Sequence, residues 1–211
     1  MIDVVTWENK REFTDDLRAM HQLRKRVFAD RMGWEVPIQD DMEIDEFDQL
    51  PGTVYLLYRG DDGIVHGCAR LLPTTGPNML RDVFPVLLDG GAAPRAPRVW
   101  ESTRFAVDDS GEINAGIGRA THELLLGMTE VALAYGVTRV ISVCDVRVER
   151  VLKRAGLPVS RIGSAHRIGC TIAVAGYYDP TTELLDSLVT TTGIHGSVVA
   201  ASPWADLQRA A

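Results

Sequence analysis

The sequence predicts a mixed α/β fold: a mixed, twisted central sheet with helices on both faces. Three observations carry this. Short runs rich in β-branched and large apolar residues recur along the chain. Stretches with apolar residues three and four apart lie between them, the spacing of an amphipathic helix. The resulting order is strand, helix, hairpin, strand, helix, strand, helix, strand, helix, which packs as helices over a mixed sheet.

Ile2 to Trp7 reads as the first strand, and Asn9 stands where it would cap a helix running to about Met32 and ending at Gly33. Residues 35–52 read as an irregular loop. Thr53 to Tyr58 and Ile64 to Leu72 form a hairpin about Asp61-Asp62-Gly63. Five prolines then punctuate a connection, from Pro73 to Pro97, with one or two helical turns between Asn78 and Leu88. A connection this long is uncommon without a function. Val99 to Val107 is a strand, and Ile117, Ala120, Leu124, Met128, Val131 and Tyr135 mark one face of a long helix that Gly136 ends. Thr138 to Val143, rich in β-branched residues, reads as a central strand. A helix from Val146 to Ala155, a strand from Ile168 to Gly176 and a helix from Thr181 to Val189 follow, with a loosely held tail from Pro203.

No repeat or linker interrupts the pattern, so residues 1–211 read as a single domain. A net charge of -7 disfavours a nucleic-acid or anionic-membrane surface. Three scattered cysteines without CxxC suit a reducing compartment and no disulfide framework, and scattered histidines without HExxH give no metal pattern. With no apolar run near membrane length and no leader pattern, the expected location is the cytoplasm.

The chemistry gathers in two stretches. Arg24 to Trp34 carries four cations, and Asp40 to Asp48 holds six carboxylates in nine residues. Leu17, Met20, Arg24, Val27 and Phe28 share one helix face, which puts Arg24 in an apolar stripe. A guanidinium there is costly unless paired, and Asp45 and Asp48 are the nearest acids in sequence. Arg70 ends the hairpin, while Glu101 and Arg104 lie three apart on one strand and would point to opposite faces. A bulge near Ser102 or Thr103 would bring both to one site and free an N–H for an oxyanion. The same residues, taken alone, equally describe ordinary surface salt bridges.

The sequence resembles the acyl-homoserine lactone synthases, the LuxI-type autoinducer synthases. The resemblance rests on Arg24, Val27, Phe28, Arg31, Gly33, Trp34, Asp45, Phe47, Asp48, Arg70, Leu71, Pro73, Thr74, Pro77, Met79, Leu80, Phe84, Trp100, Glu101, Arg104 and Phe105, in order and spacing over roughly the first half. Thr103 departs from the serine common in the family but keeps the hydroxyl. The resemblance implies an N-acetyltransferase (GNAT)-like fold, S-adenosylmethionine as the amino substrate, and an acyl thioester on acyl carrier protein or coenzyme A as donor. It requires no permanently bound cofactor and no metal.

On that footing Arg24, Glu43, Asp45, Asp48, Arg70, Glu101 and Arg104 are the expected catalytic cluster, with the aspartates holding the cationic parts of S-adenosylmethionine and an arginine its carboxylate. Glu101, or Glu43 through a water, is the candidate base. Phe28 and Trp34 would cover adenine and sulfonium, with Arg31, Thr103 and Phe105 beside them. Met79, Leu80, Phe84, Trp100, Leu125 and Ser142 are candidate walls of an acyl site, though each also suits a plain core. Arg147, Arg150, Lys153 and Arg154 make a basic helix face on an acidic protein, fit to dock an acidic carrier or to stand as a solvated face. The competing reading is an ordinary acyl-coenzyme A N-acyltransferase, for which Gly116-Ile117-Gly118 before a helix is a weak sign, since Ile113 stands where Arg or Gln belongs. A binding module without catalysis is a further alternative, disfavoured because Asp45, Glu101 and Arg104 are all present.

Overall fold

The computed structural model describes residues 1–108, 113–114 and 117–200, so the tail expected from Pro203, and Gly116 of the glycine pair, lie outside the described residues. In chain order the elements are β1 (Ile2–Val5), α1 (Thr14–Lys25), β2 (Ile38–Gln39), β3 (Met42–Glu43), β4 (Val54–Arg59), β5 (Val65–Pro73), α2 (Met79–Asp82), β6 (Val99–Val107), β7 (Ile113–Asn114), β8 (Ile117–Gly118), α3 (Arg119–Ala134), β9 (Arg139–Asp145), α4 (Val146–Arg154), β10 (Ser160–Arg161), β11 (His166–Ile168), β12 (Thr171–Tyr178) and α5 (Thr182–Thr192). The chain packs into two compact units. The first takes Met1–Arg70, Arg104–Met128 and the chain from Gly196; the second takes Leu71–Thr103 and Thr129–His195.

In the first unit β1 pairs antiparallel with β4, Ile2 opposite Tyr58 and Val5 opposite Tyr55, and β4 neighbours β5 through the expected turn, where Gly63 has φ +76°. The apolar stripe of α1 packs as its spacing requires: Met20, Leu23, Val27 and Phe28 meet Val5, Tyr55, Leu57, Val65, Cys68 and Ala106. Asn9 does not cap the helix. Its side chain turns back to β1, accepting from the Thr6 N–H and donating to the Val4 carbonyl, and a 3₁₀ turn over Lys10–Phe13 precedes α1. After Lys25 the helix widens into a π-turn over Arg26–Arg31, where the Met32 N–H reaches the Val27 carbonyl at 3.0 Å, before Gly33 ends it at φ +66°. On α3, a Cβ at Gly127 would meet Ile2 at 3.1 Å, so a side-chain-free position lets the helix lie close on β1.

The stretch 35–52, expected as an irregular loop, contains a small β2–β3 hairpin. Asp40 and Asp41, with φ of 49° and 64°, make the two-residue turn that aspartates tolerate. They stand on the exposed tip, while Glu43 turns inward and is fully buried.

The second unit holds the mixed sheet that the sequence predicts. β9 is parallel to β6, Glu101 opposite Ile141, and antiparallel to β12, Ala175 opposite Val143, which makes β9 central. β10 and β11 both pair antiparallel with β12. The single strand expected over 168–176 is broken, because Gly169 at φ +54° and Cys170 form the turn between β11 and β12. Leu80, Leu87, Leu88, Ile141, Ala173 and Ala175 are the core of this unit. No helix among the described residues is long and apolar enough to cross a membrane.

Candidate functional site

Six charged side chains of the first unit close into a ring. Arg24 on α1 donates from Nε to Glu43 Oε2 at 2.5 Å. Glu43 Oε1 accepts from Arg104 Nη2 at 2.9 Å, and the same Nη2 lies 2.7 Å from Asp45 Oδ2. Asp45 holds Arg70 through both oxygens, at 2.5 and 2.9 Å. Arg70 Nη1 donates to Asp48 Oδ1 at 2.7 Å, and Asp48 returns to Arg24 through paired bonds of 2.8 and 2.9 Å. Every guanidinium therefore bridges two carboxylates and every carboxylate two guanidiniums, with no net charge. That pairing answers the desolvation cost of Arg24 and Arg70, both fully buried.

Local structure places each member. Asp45 precedes a 3₁₀ turn over Glu46–Gln49 and accepts from the Phe47 N–H, while Asp48 accepts from the Asp45 N–H, so a capping box fixes both carboxylates three residues apart. Arg104 sits in β6 at φ +51°, a left-handed conformation costly for a residue with a Cβ. The bulge expected near Ser102 or Thr103 would bring Glu101 and Arg104 to one site, but Arg104 meets Glu43 and Asp45 whereas Glu101 accepts from the Met79 and Leu80 N–H groups. Burial pushes the Asp48 carboxyl up, but the Arg24 bonds and charge, with Arg70 behind them, outweigh it and hold the group well below the usual range.

The ring is sealed at four members and open at one edge. The Arg24, Glu43 and Arg70 side chains have 0% exposure and Asp48 2%, against 8% for Asp45 and 11% for Arg104. Arg24, Glu43, Arg70 and Asp48 are thus the enclosed members, and Asp45 and Arg104 the most exposed. Above that edge Phe28 and Trp34 stack at 5.3 Å with 3° between their planes, and the Arg104 guanidinium lies 5.7 Å from the Phe28 ring. Phe28 is buried within the α1 core cluster, and Trp34 is half-buried against it.

The expected base candidates are both engaged. Each Glu43 oxygen holds a guanidinium, so a proton it took would displace one. Glu101 belongs to the second unit, is fully buried, and accepts from the Met79 and Leu80 N–H groups at 2.7 Å each. Of the remaining expected site residues, Thr103 is buried, Phe105 half-buried, and Arg31 is exposed and donates to the Val107 carbonyl at 3.1 Å. Leu80 and Phe84 share the apolar cluster of the second unit, Met79 is buried, and Trp100 contacts Tyr135 at 5.0 Å. Ser142 is half-buried on β9, and buried Leu125 lies on α3 in the first unit. On α4, Arg147 pairs with Asp145, and Lys153 and Arg161 pair with Glu149, while Arg150 and Arg154 are exposed. Among the described residues no group of three or more His, Cys, Asp or Glu is placed to hold a metal.

Sequence reasoning missed four neighbours of the ring. Tyr55 donates to Asp48 Oδ1 at 2.8 Å; its alternation with Leu57 on an inward strand face was the available signal, since a buried phenol needs a partner. Phe47 lies under the Arg70 guanidinium at 5.6 Å. His21 shares a bond of 2.9 Å between Nδ1 and the Glu43 carbonyl, and burial, then the Arg24 charge, lowers its pKa. The Cys68 thiol, pushed up to about 12 by burial, donates to the Arg104 carbonyl at 3.5 Å. Neither His21 nor Cys68 stands in a pattern that points here.

A family model described as autoinducer synthase matches residues 8–188. An acyl-homoserine-lactone synthase of Pseudomonas aeruginosa is 41% identical over 161 residues, 75% of this chain and 80% of that protein. One of Agrobacterium fabrum is 41% identical over 173 residues, 81% of this chain and 80% of that protein. A solved CoA-dependent acyl-homoserine lactone synthase with SAM and isopentyl-CoA superposes with a TM-score of 0.85 at 27% identity, over 95% of this chain and 92% of that one. A structure named as an N-acetyltransferase, from Lactobacillus plantarum, shares the fold alone, with a TM-score of 0.55 at 15% identity over 85% of this chain and 99% of that one.

Proposed function

The chain belongs to the autoinducer synthase family, and from that premise we propose how its residues divide the work of an acyl-homoserine-lactone synthase. It is an acyltransferase that joins an acyl group from a thioester to the amine of S-adenosylmethionine and closes the product to a lactone. The ordinary N-acyltransferase alternative shares only the fold and is not favoured.

The observation that carries the assignment is the open edge of an otherwise sealed ring. Asp45 receives the ammonium of S-adenosylmethionine, Arg104 orients its carboxylate, and Trp34 covers the sulfonium and adenine. The four sealed members keep Asp45 and Arg104 in place, and because Asp45 already accepts from Arg70, Arg104 and the Phe47 N–H, the ammonium takes the position of one of these partners. No side chain is assigned as base. About a tenth of an ordinary α-amine is already unprotonated at neutral pH, and water can carry the proton away. The amine attacks the thioester carbonyl, the C–N bond forms, and the C–S bond breaks to release the thiol. The substrate carboxylate then displaces methylthioadenosine from its own γ-carbon, and the breaking bond's electron pair neutralises the sulfonium. This closure is intramolecular, so holding the conformer supplies much of the rate.

Met79, Leu80, Phe84, Trp100 and Ser142 of the second unit receive the acyl chain. Arg150 and Arg154, which the ion pairs of α4 leave exposed, steer an acidic acyl carrier protein to the enzyme, with Arg147 and Lys153 flanking them. Reversing charge at Arg150 and Arg154 should weaken turnover with a carrier-bound donor far more than with a coenzyme A thioester; an equal effect on both removes the docking role. The direct test of function is a product assay with S-adenosylmethionine and a panel of carrier and coenzyme A thioesters. Equal release of thiol and methylthioadenosine is expected. Thiol without methylthioadenosine would mean plain N-acylation.

A further inference from the structure

We propose that Glu101 is a positioning residue that sets acyl-chain selectivity, clamping the helical turn that carries Met79 and Leu80. The proposal rests on the reading of those two residues as walls of the acyl site. α2 has four residues, too few to be stable alone. Something else must hold it, and its first-turn N–H groups say what. Met79 donates to Glu101 Oε2 and Leu80 to Glu101 Oε1, both at 2.7 Å. Arg81 donates to Asn78 Oδ1 at 3.2 Å and Asp82 to the Asn78 carbonyl at 3.0 Å. Asp82 closes the turn by accepting from the Asn78 N–H at 2.9 Å. All four leading donors are thus satisfied, two of them by one carboxylate.

That carboxylate projects from β6, where Glu101 stands opposite Ile141 of β9. Strand register therefore fixes the height of the turn, and the turn in turn sets where Leu80 enters the cluster with Ile141 and Ala175. Two amides one residue apart need two acceptor atoms, which a carboxylate has and a carboxamide lacks. A proton taken by either oxygen would weaken the bond it accepts and loosen the clamp.

The test compares the parent with Glu101→Gln and Asn78→Ala, supplying S-adenosylmethionine and coenzyme A thioesters from butyryl to dodecanoyl. In Glu101→Gln one amide loses its acceptor, so hydrogen exchange at Met79 and Leu80 should speed up by about tenfold or more. Turnover of the preferred chain should fall by a similar factor and that of shorter chains by less, with the pH profile of kcat parallel to the parent's. Asn78→Ala, which removes the second side chain that caps the start of the same turn, should re-rank the donors in the same direction. A uniform loss with every donor, with the acidic limb of the pH profile gone and exchange at Met79 and Leu80 unchanged, would overturn the proposal and make Glu101 the base. Met79→Ala separates the two readings. If it leaves donor ranking untouched, the acyl-site reading fails and selectivity falls with it, whereas slow exchange in Glu101→Gln refutes the clamp itself.

Discussion

Two charged regions of this chain handle burial in opposite ways. In the ring of the first unit both signs are buried, and each of its six groups is held by two of the other sign. On α4 only the anions are buried: Asp145 and Glu149 side chains have 2% and 4% exposure, while Arg147 paired with Asp145 has 75%. The difference teaches what each can be for. On the proposed reading the ring is a frame, and its most exposed edge, Asp45 and Arg104, meets the ligand. Cations in water are screened and cheap to move, so they stabilise little but remain available to an acidic partner.

The largest effect should come from opening the ring. Arg24→Ala leaves Glu43 and Asp48 each short of a buried cation and should cost about 3–5 kcal/mol in denaturant unfolding, with turnover lost. Parent-like stability would mean that the ring is not closed in solution. Next is Tyr55→Phe, which removes the phenol from Asp48 and should cost about 1.5–3 kcal/mol, the range for a hydrogen bond to a charged group. Because the folded Asp48 carboxyl is held below its ordinary value, the stability it contributes is present at neutral pH and is lost as pH falls through the folded pKa. Tyr55→Phe removes a hydrogen bond that the phenol donates to the ionised carboxylate, so acid unfolding should begin at a higher pH than in the parent; an unchanged acid midpoint would refute that coupling.

The smallest effect belongs to α4. The Arg161 bond, with Lys153 adding to it, holds Glu149 down at about 2 against 4.5 for the free group. Its contribution is therefore present above about pH 4.5 and is lost between there and pH 2. Glu149→Gln should flatten the stability–pH curve in that window: the loss, modest because Arg161 and Lys153 are exposed, is present at neutral pH and disappears as the pH falls to about 2. A large loss at pH 7 would place α4 with the ring rather than opposite it.

The sequence revealed the members of the ring better than its shape. Arg24 was legible because a cation in an apolar helix stripe demands acids, and the acidic run followed it. The strands were legible from periodicity, whereas the parity of Glu101 and Arg104 pointed to a bulge joining them at one site, and the two side chains go to different partners instead. Closure was not legible, since it depends on side-chain reach across α1, β3, the 3₁₀ turn after Asp45, β5 and β6. The acidic run also read as one unit, whereas two positive-φ aspartates turn its first part to water and send Glu43 inward. Glu101 read as a base because its type and place in the family pattern fit, and only the α2 amides reveal what its oxygens do.

The most direct test of the account is calorimetric titration of S-adenosylmethionine into the parent, Asp45→Asn and the Arg150→Glu/Arg154→Glu double variant. The account predicts that Asp45→Asn weakens binding by about tenfold to a hundredfold, as expected for losing a charge-assisted hydrogen bond at the open edge, while the double variant binds like the parent. Parent-like affinity in Asp45→Asn would contradict it, and would place the substrate somewhere other than the open edge of the ring.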